Sequence, residues 1–250
     1  MNQLANSKWG ELIRTDDGSL TIRHSGIGEE YHSKQGALSE SQILYLERSG
    51  FNAVLKSEKL GPKVSELRVL DVGLGLGYNA LSTISAWLSN PAKTNLGLTS
   101  LEINPDLIAA LAHQQGPWMQ DWSDLWLRVA GSLEEVDGRN WRADISHPLD
   151  SNLSCVWRVT IGDASEQMAL DGQSFDYIWQ DPFSPKKNPE MWSESWFKSL
   201  LTYSHGSTRL MTYSVARSVR DNLEASGWVW EKITAAGSKK HWLTAVPGKK

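Results

Sequence analysis

No stretch of this 250-residue sequence approaches the run of about 20 apolar residues needed to cross a bilayer, so a membrane-spanning helix is not expected. Its single cysteine, Cys155, excludes an internal disulfide, which suits a reducing cytoplasm. Cys155 lies in an apolar, strand-like run and reads as core rather than as a nucleophile. The first ten residues, Met1 to Gly10, lack the basic-then-apolar order of a secretory signal, so a cytoplasmic protein is expected. Internal repeats, low-complexity tracts and Pro/Ser-rich linkers are also missing, which argues for a single domain. No metal site is expected.

What is present is enough to build that domain. Hydrophobic residues make up 40% of the chain, which permits a full core. The net charge of −4 speaks mildly against a nucleic-acid partner, but it hides an asymmetry. From Pro182 to Lys250 there are 11 Lys/Arg and 5 Asp/Glu, a surplus of +6 that leaves −10 for Met1 to Asp181. A basic C-terminal third is either a phosphate-binding face or an ordinary solvated surface, and composition does not choose. Among 13 tryptophans, Trp118, Trp122 and Trp126 recur every four residues, the spacing of one apolar stripe on a helix.

Residues 11–24 read as a hairpin turning at Asp17-Gly18, and a helix is expected from about Leu38 to Phe51. Strand-like runs follow at 67–72, 96–103, 156–161, 175–180, 208–213, 228–233 and 241–246. Helical segments fit between most of them, including 79–88, one opening at Asn104-Pro105, 194–203 and 215–225. This alternation predicts an α/β fold with a doubly wound, mostly parallel sheet. The last two strands are close enough in sequence to pair antiparallel at an edge. Residues 1–60 are expected to form an N-terminal hairpin and helix extension on the core, and 61–250 the main domain. Residues 116–154 fit the alternation poorly and read as a helix plus an irregular insertion.

Four sites carry chemistry. The first is the strand-to-turn run Asp71-Val72-Gly73-Leu74-Gly75-Leu76-Gly77. Its glycines permit positive φ and close backbone approach to a ligand, and the helix N-terminus beyond favours negative groups. The spacing is not the G-x-G-x-x-G of dinucleotide folds. It resembles the D-x-G-x-G-x-G signature of class I methyltransferases, which implies S-adenosylmethionine as cofactor. The second is Glu102, a carboxylate at a strand end that can accept hydrogen bonds from a ribose diol. The third is Asp163-Ala164, where Asp163 either contacts the adenine amine or caps a helix.

The fourth is Asp181-Pro182-Phe183, delivered by an apolar strand to the edge where open α/β sheets hold their active sites. It resembles the D-P-P-Y/F loop of amino-group methyltransferases. There a side-chain acceptor and a backbone carbonyl hold the amine, and the aromatic ring stacks on the substrate. Asp181 can orient the nitrogen lone pair and take its proton.

The motifs together resemble the methyltransferase part of the MnmC family of bacterial tRNA-modifying enzymes and its stand-alone relatives. Matching blocks include Tyr31-His32-Ser33 with Gly36 to Ser41, Gly73 to Leu81 with Asn79, and Asp181 to Trp192. Further matches are Thr212-Tyr213-Ser214, Val219 to Trp228, and the basic Ser238-Lys239-Lys240. Gln180 departs from the pattern, where relatives often carry an apolar residue. The resemblance implies methylation of 5-aminomethyl-(2-thio)uridine at the tRNA wobble position, in the cytoplasm, with the anticodon region of tRNA as partner. In many bacteria the family is fused to a flavin-dependent oxidase. The sequence in hand shows no such domain, so the expected acceptor is an amine that is already free. The implied cofactor residues are Tyr31, Asp71, Gly73, Gly75, Gly77, Asn79, Glu102, Asp163 and Ala164. Asp181 and Phe183 are the implied catalytic residues, and Lys186, Lys187, Lys239 and Lys240 those for substrate phosphate. Two other readings stay open: a methyltransferase for a small-molecule or protein amine, and a catalytically silent scaffold. Oligomeric state is not legible.

Overall fold

The computed structural model describes residues 6–57, 65–90, 94–165, 170, 172–235 and 241–249. Two sheets organise them. Strands β1 (Asn6–Ser7), β2 (Gly10–Arg14) and β3 (Leu20–His24) form a small antiparallel sheet in which β2 and β3 are the expected hairpin. The main sheet has nine strands: β4 (Glu66–Val72), β5 (Asn95–Glu102), β6 (Glu134–Asp137), β7 (Asn140–Ser146), β8 (Ser154–Ile161), β9 (Phe175–Gln180), β10 (Ser204–Thr212), β11 (Trp228–Thr234) and β12 (His241–Pro247). Their order is β11-β12-β10-β9-β4-β5-β8-β7-β6. The five central strands, β10 to β8, are parallel, while β12, β11, β7 and β6 pair antiparallel at the two sides. This is the expected doubly wound, mostly parallel sheet.

Central parallel strands are buried on both faces, so they read as continuous apolar runs. In β4, Val69 joins one core cluster and Leu70 and Val72 the other, the period-two alternation of a strand between two layers. Helix α3 (Tyr78–Ser89) packs on one face, and α6 (Glu194–Thr202) and α7 (Arg217–Ser226) on the other. Helix α4 (Pro105–Ala112) starts at the expected point: Asn104 Oδ1 accepts from the Asp106 amide at 3.0 Å, with Pro105 in the first turn. Leu12, Leu20 and Ile22 of the hairpin join the core of α3, and the Tyr78 hydroxyl donates to Leu20 O at 2.8 Å.

Two expectations are corrected. The single helix over 38–51 is instead a short α1 (Ala37–Glu40), a π-helical turn (Ser41–Glu47) and α2 (Phe51–Lys56). An i to i+5 bond from the Arg48 amide to Ile43 O widens the turn, and Gly50, at φ 82°, sets α2 off separately. The insertion at 116–154 is more regular than read. Beyond the turn Pro117–Met119 and α5 (Asp124–Ala130), β6 and β7 form a hairpin that extends the main sheet through β8. Every residue of β6 is exposed, so nothing apolar marks it, whereas Trp141, Ala143 and Ile145 alternate along β7 and pack toward the core. The three tryptophans do not share one helix either; Trp122 and Trp126 pack edge-on around Tyr78, and Trp118 donates to Leu76 O at 3.0 Å.

The site is fixed by topology. β4 lies between β5 and β9, where the chain's progress across the sheet reverses direction. At such a switch point the strand ends part and leave a crevice.

Candidate active site

At the end of β4 the glycine turn is pinned from below. The amides of Gly73 and Leu74 donate to Leu101 O at 3.1 and 2.9 Å. Gly73 sits at φ 84°, and a Cβ there would come within 3.1 Å of Asp181 O; one on Gly75, at φ 53°, would meet the Tyr31 ring at 3.1 Å. The turn therefore needs glycine for conformation and for space, because backbone and ring close over it. Gly77, at φ 91°, is the N-cap of α3 and does not line the cleft.

Glu102 closes β5. Its Oε2 accepts from the Gly75 amide at 2.8 Å and its Oε1 from Ile103 and Asn104 at 3.0 and 2.9 Å, so the carboxylate is set rigidly at the cleft wall. Burial pushes its pKa upward, and the three backbone donors restrain the rise. Gly162 donates to Glu102 O at 2.9 Å, bringing Asp163 and Ala164 to the same wall. Asp163 is exposed, and its Oδ1 accepts from the Ser165 amide and hydroxyl at 2.9 and 2.6 Å.

The loop after β9 is clamped residue by residue. The Asp181 amide donates to Val72 O at 3.0 Å, Tyr213 donates its hydroxyl to Pro182 O at 2.9 Å, and Trp192 Nε1 donates to Phe183 O at 2.7 Å. Ser184 donates through its amide and hydroxyl to Glu29 at 3.1 and 2.6 Å. Gln180, the departure from the resembled pattern, is fully buried and bridges Met191 O (2.7 Å) and Trp196 Nε1 (3.1 Å), tying β9 to the turn behind the loop. Since Tyr213 and Trp192 engage the two carbonyls that follow Asp181, the acceptor best placed for an amine is the Asp181 side chain.

That side chain sits in unusual surroundings. Burial pushes its carboxyl up to about 8 and the nearby Glu40 adds to the rise, while Tyr45 and Asn79 as donors pull it down. Asn79 Nδ2 donates to Asp181 Oδ2 at 2.7 Å. The cleft measures about 550 Å³ and is lined by the carboxylates of Glu29, Glu30, Glu40, Glu102, Asp163 and Asp181. Phe183 forms an aromatic group over it with Tyr31 and His24, with ring centroids 4.9 Å and 5.8 Å away.

Of the residues singled out in the sequence, Tyr31, Gly73, Gly75, Glu102, Asp163, Ala164, Asp181 and Phe183 line this one cleft. Asp71 and Asn79 do not. Asp71 is wholly buried beneath the turn, its Oδ2 accepting from Ser100 at 2.8 Å, and burial pushes it up to about 7. Asn79 faces Asp181 from α3. Lys186 and Lys187 stand exposed beside the cleft, and Lys239 and Lys240 lie outside the described residues. The hairpin's contributions, Glu29 and His24, went unread because no local pattern announces a contact 155 residues away. Glu40 and Ser41 were visible only as part of a matching block, and Tyr45 carried no signal. Among the described residues there is no His/Cys/Asp/Glu group placed to hold a metal, and no helix long and apolar enough to cross a membrane.

Comparison with known proteins agrees with this geometry. A family described as S-adenosyl-L-methionine-dependent methyltransferase matches residues 139–247. A tRNA 5-methylaminomethyl-2-thiouridine biosynthesis bifunctional protein MnmC from Azoarcus sp. (strain BH72) is 28% identical over 237 residues, covering 93% of this chain and 34% of that protein. The protein of the same name from Delftia acidovorans is 29% identical over 225 residues, covering 88% and 32%. The chain thus spans about a third of the length of these relatives. The crystal structure of MNMC2 from Aquifex aeolicus superposes with a TM-score of 0.72 at 24% identity, covering 98% of this chain and 75% of that one. The glycine cradle, the fixed Glu102 and the cleft at the switch point fit S-adenosylmethionine. Over residues 139–247 the chain is similar to a family of S-adenosyl-L-methionine-dependent methyltransferases, and over most of its length it is similar to about a third of the length of the MnmC proteins.

Proposed function

We propose that this chain methylates the primary amine of 5-aminomethyl-(2-thio)uridine at the wobble position of tRNA. One observation carries the reading: the Asp181-Pro182-Phe183 loop brings a half-buried carboxylate, raised to about 8, and an aromatic group into the cofactor cleft. The names of the relatives point to the same modification.

The chemistry follows from the residues. When bound, S-adenosylmethionine supplies a sulfonium methyl, which passes to the amine nitrogen and leaves a thioether. The chain must first present a neutral amine, because a primary alkylamine resembles lysine, with a pKa of roughly 10.4. Passing its proton to an ordinary carboxylate costs about 9 kcal/mol at ~1.4 kcal/mol per pKa unit. With Asp181 raised to about 8, the same step costs about 3 kcal/mol. Asp181 thus takes the ammonium proton and leaves the lone pair free to attack in line. Phe183, with Tyr31 and His24, offers a stacking surface for an unpaired anticodon base, whose extrusion costs little. Lys186 and Lys187 beside the cleft meet phosphate.

A second reading, a small-molecule or protein amine, draws on the carboxylate-rich cleft, which attracts any ammonium group. Labelled cofactor offered with bulk tRNA, lysine-rich peptides and small amines separates the two. Label in the RNA fraction alone supports the proposal, and label in peptides or free amines with none in RNA would overturn it.

A further inference from the structure

We infer that Ser41 and Asn79 are positioning residues for Asp181, with Tyr45 a second donor to it, so that the π-helical turn of the N-terminal segment forms part of the catalytic machinery. This rests on the reading of Asp181 as the proton acceptor.

The geometry is a chain of two short hydrogen bonds. The Ser41 hydroxyl lies 2.6 Å from Asn79 Oδ1, closer than its other acceptor Ala37 O at 3.1 Å, and Asn79 Nδ2 donates to Asp181 Oδ2 at 2.7 Å. Ser41 and Asn79 are 1% and 2% exposed, so neither bond competes with water. The Asn79 amide has one acceptor end and one donor end. With Ser41 donating to the acceptor end, the donor end points at the carboxylate. With Asp181 ionised, the state in which it can accept a proton, the reverse orientation would set two oxygens face to face. Ser41 therefore fixes the amide, and the amide holds one oxygen of Asp181, leaving the other for the amine.

Tyr45 follows Ser41 by four residues, and the widened turn keeps both on the face toward α3 and β9. Its ring packs against Trp179, with centroids 5.6 Å apart. Its hydroxyl is buried beside Asp181, lowers the carboxyl's pKa, and makes no formed hydrogen bond to another described residue, so it is a donor held ready for the carboxylate. As the ammonium approaches and Asp181 ionises, this hydroxyl and the Asn79 amide are the donors that stabilise the charge. The other titratable groups acting on Asp181 are Glu40 from the helical segment and Asp71 from β4, while the neutral Tyr213 hydroxyl is itself raised by the Asp181 charge. Both acids disfavour the charged form, so the donors are what make ionisation accessible.

The test combines Ser41→Ala, Asn79→Ala and the double variant. Each single change is expected to lower the single-turnover methyl-transfer rate roughly 10- to 100-fold, within the range for a misplaced catalytic group. Cofactor affinity should hold, and the acid limb of the rate profile should move to higher pH. The double variant should be no slower than Asn79→Ala alone, because Ser41 acts only through the amide. Ser41→Thr, which keeps the hydroxyl, should recover most of the rate. A second readout needs no methyl acceptor: the pH dependence of unfolding temperature relative to Asp181→Asn reports the carboxyl's titration. Its midpoint should rise in Ser41→Ala, Asn79→Ala and Tyr45→Phe. Fully additive losses in the double variant, or a midpoint unmoved by Asn79→Ala, would overturn the inference. Absence of transfer to RNA by the unaltered protein would instead count against the proposed substrate, and the acceptor-free titration would still decide the roles of Ser41 and Asn79.

Discussion

Replacing Asp181 by Asn removes the proton acceptor while keeping its shape, and the structure sets what should follow. The Asn79 amide can still donate to the new side-chain oxygen, so the loop should hold. What is lost is a route for the ammonium proton that costs about 3 kcal/mol instead of requiring bulk solvent. A general base in this position is worth on the order of 10²- to 10⁴-fold. The pH dependence separates this from a packing defect. With Asp181 raised to about 8, the wild-type rate at subsaturating acceptor should climb until about pH 8 and then level off. The Asn variant has no such group, so its rate should keep rising with the neutral fraction of the amine, about tenfold per pH unit, and the gap should close above pH 8. Stability should move the other way. A carboxyl raised above its unfolded value of 3.8 binds its proton more tightly when folded, so wild type loses stability as pH rises from about 4 to about 8. Asp181→Asn should therefore melt at or above the wild-type temperature at pH 8, with the difference fading toward pH 5. Single-turnover rates from pH 6.5 to 9.5 and melting curves from pH 5 to 8 measure both. A variant that transfers methyl normally but melts well below wild type would refute the assignment.

Three further outcomes are expected. Glu102→Ala should weaken cofactor binding by about 1.5–3 kcal/mol by calorimetry, the scale of hydrogen bonds to a charged group, and unchanged affinity in a folded variant would remove Glu102 from the cofactor site. Phe183→Ala should raise the acceptor KM about tenfold with cofactor affinity intact, since base stacking is worth roughly 1–3 kcal/mol; an unchanged KM would mean that the ring does not touch the base. Lys186→Ala with Lys187→Ala, and separately Lys239→Ala with Lys240→Ala, should each lower the slope of log tRNA affinity against log salt by roughly 0.7 to 0.9 per lost contact. A slope left untouched by a pair marks that pair as ordinary surface.

The central fold was legible because each inner strand is an apolar run ending at a turn whose chemistry is local. The glycines after β4, the acid closing β5 and the loop after β9 all lie within a few residues of a strand end, and topology does the rest. The hairpin β6–β7 was read as irregular because β6 is exposed throughout, although the short alternation of Trp141, Ala143 and Ile145 in β7 was a period-two signal. The helix over 38–51 was misread because periodicity does not register a widened turn, which hydrogen bonding and packing on α3 and β9 create. At the site, Asp181 was visible from its neighbours Pro182 and Phe183. Asn79 was assigned to the cofactor by its place near the glycine turn, whereas its partners are Ser41 and Asp181, 38 and 102 residues away. Glu29 enters the cleft the same way, from the segment after the N-terminal hairpin, and His24 packs on Phe183 from the end of β3.

Methylation of a wobble-position amine through the Asp181 cleft is read out by nucleoside analysis, by mass spectrometry, of tRNA carrying free 5-aminomethyl-2-thiouridine after incubation with the protein and labelled S-adenosylmethionine. That nucleoside should become its 5-methylaminomethyl form, with label on the amine nitrogen and none transferred by Asp181→Asn at neutral pH on the same timescale. Label on a ring or ribose position, or conversion by Asp181→Asn at the wild-type rate, would rule out Asp181-assisted transfer to the amine.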